Sequence, residues 1–249
     1  MTRYDEFNRR TARLRERYRS ILSQDAEALS SALLSELDSI LRDNPTVDFD
    51  QLAAIIEREF IMPAGAQRTI ESHLTEGQAA IAKMRLQQFS TVTDAALSLD
   101  PVVLRARTAI DFPAIHSALN RTVQRTLRHI LDRGGEIDDV RRALETSRIA
   151  AHQAQTLANT ALAQYDSASV FTLAKQAGIS TFKFIGPPAE RPFCQRLLQS
   201  DREYTLAEIN TMDNGQGLPV WSSRGGYNCR HEWIAIPVDL DKPEPPQTV

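Results

Sequence analysis

The sequence predicts a mainly α-helical protein: long N-terminal helices with a small C-terminal α+β unit. Three observations predict it. Long stretches rich in Ala, Leu, Arg and Glu carry apolar residues at steps of three and four. Pro45, Pro63, the Gly134-Gly135 pair and Gly178 punctuate those stretches where helices should stop. After Gly178 the pattern changes to alternating β-branched and aromatic residues, and both cysteines and both tryptophans fall between Gly186 and Pro237.

The whole chain bounds the problem. Its 249 residues suit one large or two small domains. Hydrophobic residues at 42% and charged residues at 24% are ordinary for a globular protein, and only 6% aromatics favours helix over sheet. A net charge of −3 excludes a generally basic nucleic-acid binder while leaving room for local basic patches. Two cysteines cannot build a disulfide framework. No apolar run reaches membrane-spanning length, and the start MTRYDEFNRR has no apolar core of a signal peptide. The expectation is a cytoplasmic protein with no membrane contact.

In chain order, Thr2 to Arg42 reads as one amphipathic helix, with Leu14, Tyr18, Ile21, Leu22, Leu29, Leu33, Leu37 and Ile40 on one stripe. Arg9, Arg10, Arg13, Arg15, Arg17 and Arg19 crowd its start. They fit either a contact to nucleic acid or an acidic partner, or a solvated face partly neutralised by Asp5, Glu6 and Glu16. Arg9, Arg10, Arg13 and Arg17 are the candidates for the contact. A second helix starts at Asp48 as N-cap and carries Leu52, Ile55, Ile56 and Phe60, and Met62-Pro63 stops it. A third runs from about Ala64 to Phe89. Thr93-Asp94 and Leu99-Asp100-Pro101 read as further helix starts. Pro113 to Asp132 carries Ile115, Leu119, Val123, Leu127 and Ile130 on one face, and a short helix follows near Asp138–Glu145.

Ser147 to Ala177 is a strong helix with Ala150, Ala154, Leu157, Ala161, Tyr165 and Ala168 on one stripe, suited to a closely approached partner helix. His73, His116, His129 and His152 stand alone on helices and carry no assigned chemistry. The expected organisation is a helical region over 1–146, an α+β domain over 147–238 and a mobile Pro-containing tail over 239–249.

Within the C-terminal segment, Ile179–Ile185 reads as a strand and Phe193–Leu198 as a short helix or turn presenting Cys194. Thr205-Leu206-Ala207-Glu208 is a capping box. Asp213–Gly217 is a turn-dense loop, Leu218-Pro219-Val220 suits the start of a strand, and Arg224–Asn228 is a tight turn. His231–Pro237 closes as a strand.

These pieces stand in order as Arg148-Ile149-Ala150, Gly178, Phe182–Ile185, Glu190-Arg191-Pro192-Phe193-Cys194, Tyr204-Thr205-Leu206-Ala207-Glu208-Ile209 and Gly226-Tyr227-Asn228-Cys229-Arg230-His231. Residues 147–237 thereby resemble the C-terminal signature of the phage head morphogenesis family, the minor head proteins similar to protein F of phage Mu. The resemblance implies a non-enzymatic virion protein that binds portal and capsid proteins during head assembly, with packaged DNA as a further contact. It implies a place in the head interior or near the portal, reached from the host cytoplasm, and no small-molecule substrate. Some relatives carry a further Cys before the Gly-Gly-Tyr, where this chain has Ser222, Ser223 and Arg224.

Cys194, Cys229 and His231 are the one constellation with chemistry. Alternation along a strand would put Cys229 and His231 on one face, with Cys194 reaching them from its loop. Three readings follow. The set could hold zinc, with Asp201, Glu190 or water as fourth ligand. The two cysteines could form a disulfide. Or the cysteines are buried apolar groups and the His bonds to backbone. A Cys/His nucleophile pair is a further possibility, and a metal- or thiol-dependent hydrolase or nuclease using these three residues is the alternative function. No phosphate-binding glycine loop or serine-hydrolase or zinc-protease motif occurs. Phe184, Arg191, Tyr227, Asn228, Arg230 and Trp233 are read as structural, with Arg230 paired to Glu190 or Glu208 and the two aromatics packing the sheet on the Ala-rich helix.

Overall fold

The computed structural model describes residues 3–44, 49–100, 104, 112–134, 136, 139, 142–143 and 149–237. The predicted fold class is observed: long helices, then a small sheet near the C-terminus. The helices are α1 (Arg3–Asp43), α2 (Phe49–Glu59), α3 (Ala64–Phe89), α4 (Phe112–Leu131) and α5 (Ile149–Gln176). After them come β1 (Thr181–Ile185), α6 (Pro192–Ser200), β2 (Glu203–Thr205), α7 (Leu206–Asn210), α8 (Val220–Ser223) and β3 (Glu232–Ala235). The expected N-cap at Asp48, the Pro101 start, most of the Asp138–Glu145 helix and the 239–249 tail lie outside the described residues.

Two compact units emerge, each built from separated pieces of chain. One comprises residues 16–77 and 109–161. Its apolar stripes are those the periodicity marks: Leu22, Leu29, Leu33, Leu37 and Ile40 of α1, Leu52 and Ile56 of α2, and Val123 and Leu127 of α4 are all buried. The helices are also tied by polar bonds. His73 Nδ1 meets Asp25 Oδ2 at 2.7 Å, Gln155 donates to Ser23 Oγ at 2.7 Å, and Gln124 donates to the Ala53 carbonyl at 2.9 Å. His73, one of the histidines without assigned chemistry, thus has a carboxylate partner.

The other unit comprises residues 1–15, 78–108 and 162–249. Its centre is the C-terminal half of α5, where Leu162, Ala163 and every residue from Tyr165 to Phe171 are buried. A helix buried on all sides has no single apolar stripe. Ala154, Ala161, Tyr165 and Ala168 of the expected alanine stripe are buried, and from Tyr165 to Phe171 the rest of the helix surface is buried with them. The sheet has the order β2-β1-β3 and is antiparallel throughout. Phe184 lies opposite Trp233, and Phe182 lies opposite Ala235 on one edge and Tyr204 on the other. One apolar core joins Val170, Phe171, Leu173 and Ala174 of α5 to Phe182, Phe184, Trp233 and Ala235 of the sheet and to Phe89 of α3. The expected packing of Phe184 and Trp233 on the Ala-rich helix is therefore present, with their ring centroids 4.8 Å apart.

Local expectations fail in two places. Leu218-Pro219-Val220 does not begin a strand: Pro219 is the N-cap of α8, whose Val220 carbonyl accepts the Trp233 indole N–H at 3.2 Å. Pro has no N–H to give a sheet and suits a helix start. Thr93-Asp94 starts no helix either. The Thr93 hydroxyl accepts the Ala95 N–H at 3.1 Å, and residues 96–100 run without helix, with Ser98 held by Gln176. The local bond satisfies the turn without a helix following it.

Candidate functional site

The site is built on two pieces of chain, the start of α6 and the turn before β3. Pro192 opens α6, its missing N–H costing nothing there, and Cys194 follows in the first turn. The turn is tighter. Arg224 has φ 58°, Gly226 φ 100° and Asn228 φ 54°, three left-handed conformations within five residues. Several bonds hold it. The Arg191 guanidinium, from the residue that caps α6, donates to the carbonyls of Gly225 at 2.9 Å and Tyr227 at 2.8 Å. Asn214 donates to the Leu218 and Arg224 carbonyls, both at 3.1 Å. Gln216 accepts the Tyr227 N–H at 2.8 Å. Tyr227 itself is 41% exposed, so it serves the turn through its backbone.

This clamp brings Cys194, Cys229 and His231 together, all buried, with their ligand atoms within 4.8 Å of one another. Cys229 and His231 lie before β3, so the turn, and not strand alternation, aims them. No disulfide joins the cysteines. Gly225 lies against both sulfurs: a Cβ there would come 2.2 Å from Cys194 Sγ and 3.2 Å from Cys229 Sγ. Its N–H donates to Cys229 Sγ at 3.3 Å. The His231 ring stacks on Phe184 at 5.2 Å between centroids. Gly186 packs against the same residue, where a Cβ would sit 2.6 Å from the ring.

The histidine's tautomer follows from its partners. Nε2 lies 2.9 Å from the Pro187 carbonyl, which can only accept, so Nε2 carries the proton. Nδ1 then turns its lone pair toward Cys229 Sγ, 3.4 Å away. The thiols respond to each other. The bond from Cys194 holds the Cys229 thiol well below its ordinary range against the opposing effect of burial, with help from His231 and the Arg224 charge. The same bond, with burial, pushes Cys194 up.

Beside it lies a buried charge network that sequence reasoning missed. Asp166 on α5 is fully buried and meets three guanidiniums: Arg15 at 2.7 Å, Arg85 at 2.7 and 3.1 Å, and Arg224 at 3.0 Å. Glu232 pairs with Arg15 at 2.9 Å and Arg85 at 3.1 Å. Asn8 and Gln88 accept from Arg85, and Ser167 accepts from Arg224. Burial opposes ionisation of Asp166, but Arg85, Arg15 and Arg224 hold its carboxyl far below the usual range. Burial and repulsion by Arg15 bring Arg224 down to about 10. A signal was available: apart from Lys175 near its end, Asp166 is the only charged side chain of the second half of α5.

The remaining sequence-predicted residues divide. Arg9, Arg10, Arg13 and Arg17 are exposed, as a contact surface requires, and Arg10 pairs with Glu6. Arg15, counted among the same crowd, is turned inward to the network. Arg230 is exposed and has no ion pair among the described residues: Glu208 is taken by Arg202 at 2.9 Å and by the Thr205 capping box. Of the proposed fourth ligands, the two carboxylates fall away. Asp201 pairs with Lys183 at 2.8 Å, and no carboxylate among the described residues joins the cluster. A second arginine row appears on α4, where Arg121, Arg125 and Arg128 line a hollow of about 630 Å³ with Glu57 and Gln124.

Comparison with protein-family profiles, curated proteins and solved structures finds no match. No helix among the described residues is long and apolar enough to cross a membrane.

Proposed function

We propose that the chain is a minor head protein that acts by binding near the portal during capsid assembly, with portal and capsid subunits as partners and packaged DNA as a further contact. One observation carries the reading. The segments behind the family resemblance, far apart in sequence, hold one another: Arg191 clamps Gly225 and Tyr227, and Cys194 meets Cys229 and His231. Residues that resemble a family signature are thus spent on fixing a backbone, which suits a docking scaffold. The exposed arginines of α1 and the row on α4 suit a polyanionic contact.

The hydrolase or nuclease alternative needs a proton-transferring group beside the cluster besides His231, whose Nε2–H is held on the Pro187 carbonyl. Asp166 and Glu232 are locked to guanidiniums, and Glu190 and Asp201 are exposed. The test is affinity capture of the tagged chain from phage-producing cells. Recovery with portal protein supports the proposal, and absence from both proheads and virions sinks it.

A further inference from the structure

We infer that Cys194, Cys229 and His231 hold one divalent ion of the zinc class, bound through the two sulfurs and Nδ1. Donor type is the first argument: two sulfurs and an imidazole nitrogen are the donors zinc takes in protein sites. Distance is the second. With Zn–S near 2.3 Å and Zn–N near 2.0 Å, a tetrahedral ion holds sulfur and nitrogen about 3.5 Å apart. Cys229 Sγ and His231 Nδ1 are 3.4 Å apart with a direct bond as their only other explanation.

The histidine gives the third argument. Its Nε2–H is fixed on the Pro187 carbonyl, the arrangement by which a ligating His is oriented and its tautomer set. That leaves a buried Nδ1 lone pair aimed at Cys229 Sγ, with Cys194 Sγ in the same cluster. A disulfide would strip both sulfurs of hydrogen and leave that lone pair with no donor. A metal ion satisfies it together with both sulfurs. The Gly225 N–H donating to Cys229 Sγ suits a sulfur that carries charge, and Gly225 alone leaves space for both sulfurs on one side of the turn. The fourth position of such an ion falls to solvent or a partner. An open fourth position is what catalytic zinc keeps, but no carboxylate among the described residues joins the cluster to act as acid or base, so the role is structural: the ion would tie the start of α6 to the turn that launches β3. The inference stands whether or not the chain acts in head assembly.

The experiment is elemental analysis of the purified full chain, followed by chelation, Zn²⁺ add-back and Co²⁺ substitution. The expected result is close to one zinc per chain, a melting temperature that falls on chelation and returns with Zn²⁺, and sulfur-to-cobalt charge-transfer bands with tetrahedral d–d bands. Cys229→Ser and His231→Gln should weaken Zn²⁺ binding by more than the roughly 10–100-fold that losing an outer hydrogen-bond partner costs. Should those variants fail to fold, the wild-type cobalt spectrum still decides. No metal at saturating Zn²⁺ with two reduced thiols overturns the inference. So does an intact mass two hydrogens light, which marks a disulfide.

Discussion

Asp166→Asn removes the charge at the centre of the buried network while keeping its shape. Asp166 accepts four bonds from three guanidiniums. In the variant Arg15, Arg85 and Arg224 would share the single carboxylate of Glu232, which reaches only Arg15 and Arg85 directly. The new amide N–H₂ would also face N–H donors. Breaking a buried ion pair from one side costs about 3–5 kcal/mol, because the abandoned charge stays buried. For a chain of this size each kcal/mol moves the melting temperature about 2–4 °C, so the variant should melt roughly 6–20 °C lower. Circular dichroism in the far UV gives the midpoint. The near-UV signal of Trp221 and Trp233 reports the unit that contains the network. The control is Arg10→Ala, whose exposed pair with Glu6 should be worth under about 1 kcal/mol. The pH dependence follows in sign. The folded carboxyl is depressed, so its contribution is complete above the unfolded value of about 3.9 and drains away as pH falls below it. Asp166→Asn should flatten that acid limb. A midpoint within about 2 °C of wild type, with an unchanged acid limb, would refute the reasoning.

Other perturbations test other parts of the molecule. Trp233→Ala empties the core between β3 and α5 and should cost about 3–5 kcal/mol, read by denaturant titration. Gly225→Ala puts a methyl 2.2 Å from Cys194 Sγ and should abolish Zn²⁺ uptake, whereas Gly65→Ala, with open space around it, should leave uptake unchanged. Thr205→Ala removes the capping oxygen of α7 and should cost about 1 kcal/mol, measured by thermal melting. Its partner Glu208 is held down to about 2, so the cap should persist above the ordinary carboxylate range and weaken as pH falls toward that value. Replacing Arg121 and Arg125 with alanine should lower the salt slope of DNA binding by about 1 for each phosphate no longer neutralised, read by fluorescence anisotropy.

Most of the helical fold was legible because its signals are local. The stripe from Leu22 to Ile40 fixes α1, and Pro63 and Phe89 bracket α3 within a residue of where they were expected. Cys194, Cys229 and His231 stood out as scarce residue types in a turn-rich segment, and they do meet. What was hidden is what depends on pairing across the chain. Arg15 reads like its exposed neighbours until Asp166, 151 residues away, turns it inward. Arg230 reads like a structural arginine, but the turn points it outward while Arg191 takes the clamping role. β2 escaped notice because its three residues are too few to show alternation, and only pairing with β1 makes it a strand. Pro219 misled because it tolerates both a strand edge and a helix cap, and the Trp233 indole settles which.

The claim beneath all of this is that the Cys194–Cys229–His231 cluster is a buried tie in a scaffold and not a reaction centre. Iodoacetamide labelling of the native chain at neutral pH, followed by peptide mass spectrometry, tests it most directly, since both cysteines are at most 5% exposed. The account predicts that neither cysteine is modified until the chain is unfolded, when both react. Stoichiometric labelling of Cys229 within minutes in the folded protein would contradict it, because a charged sulfur open to a small electrophile is what a nucleophile needs.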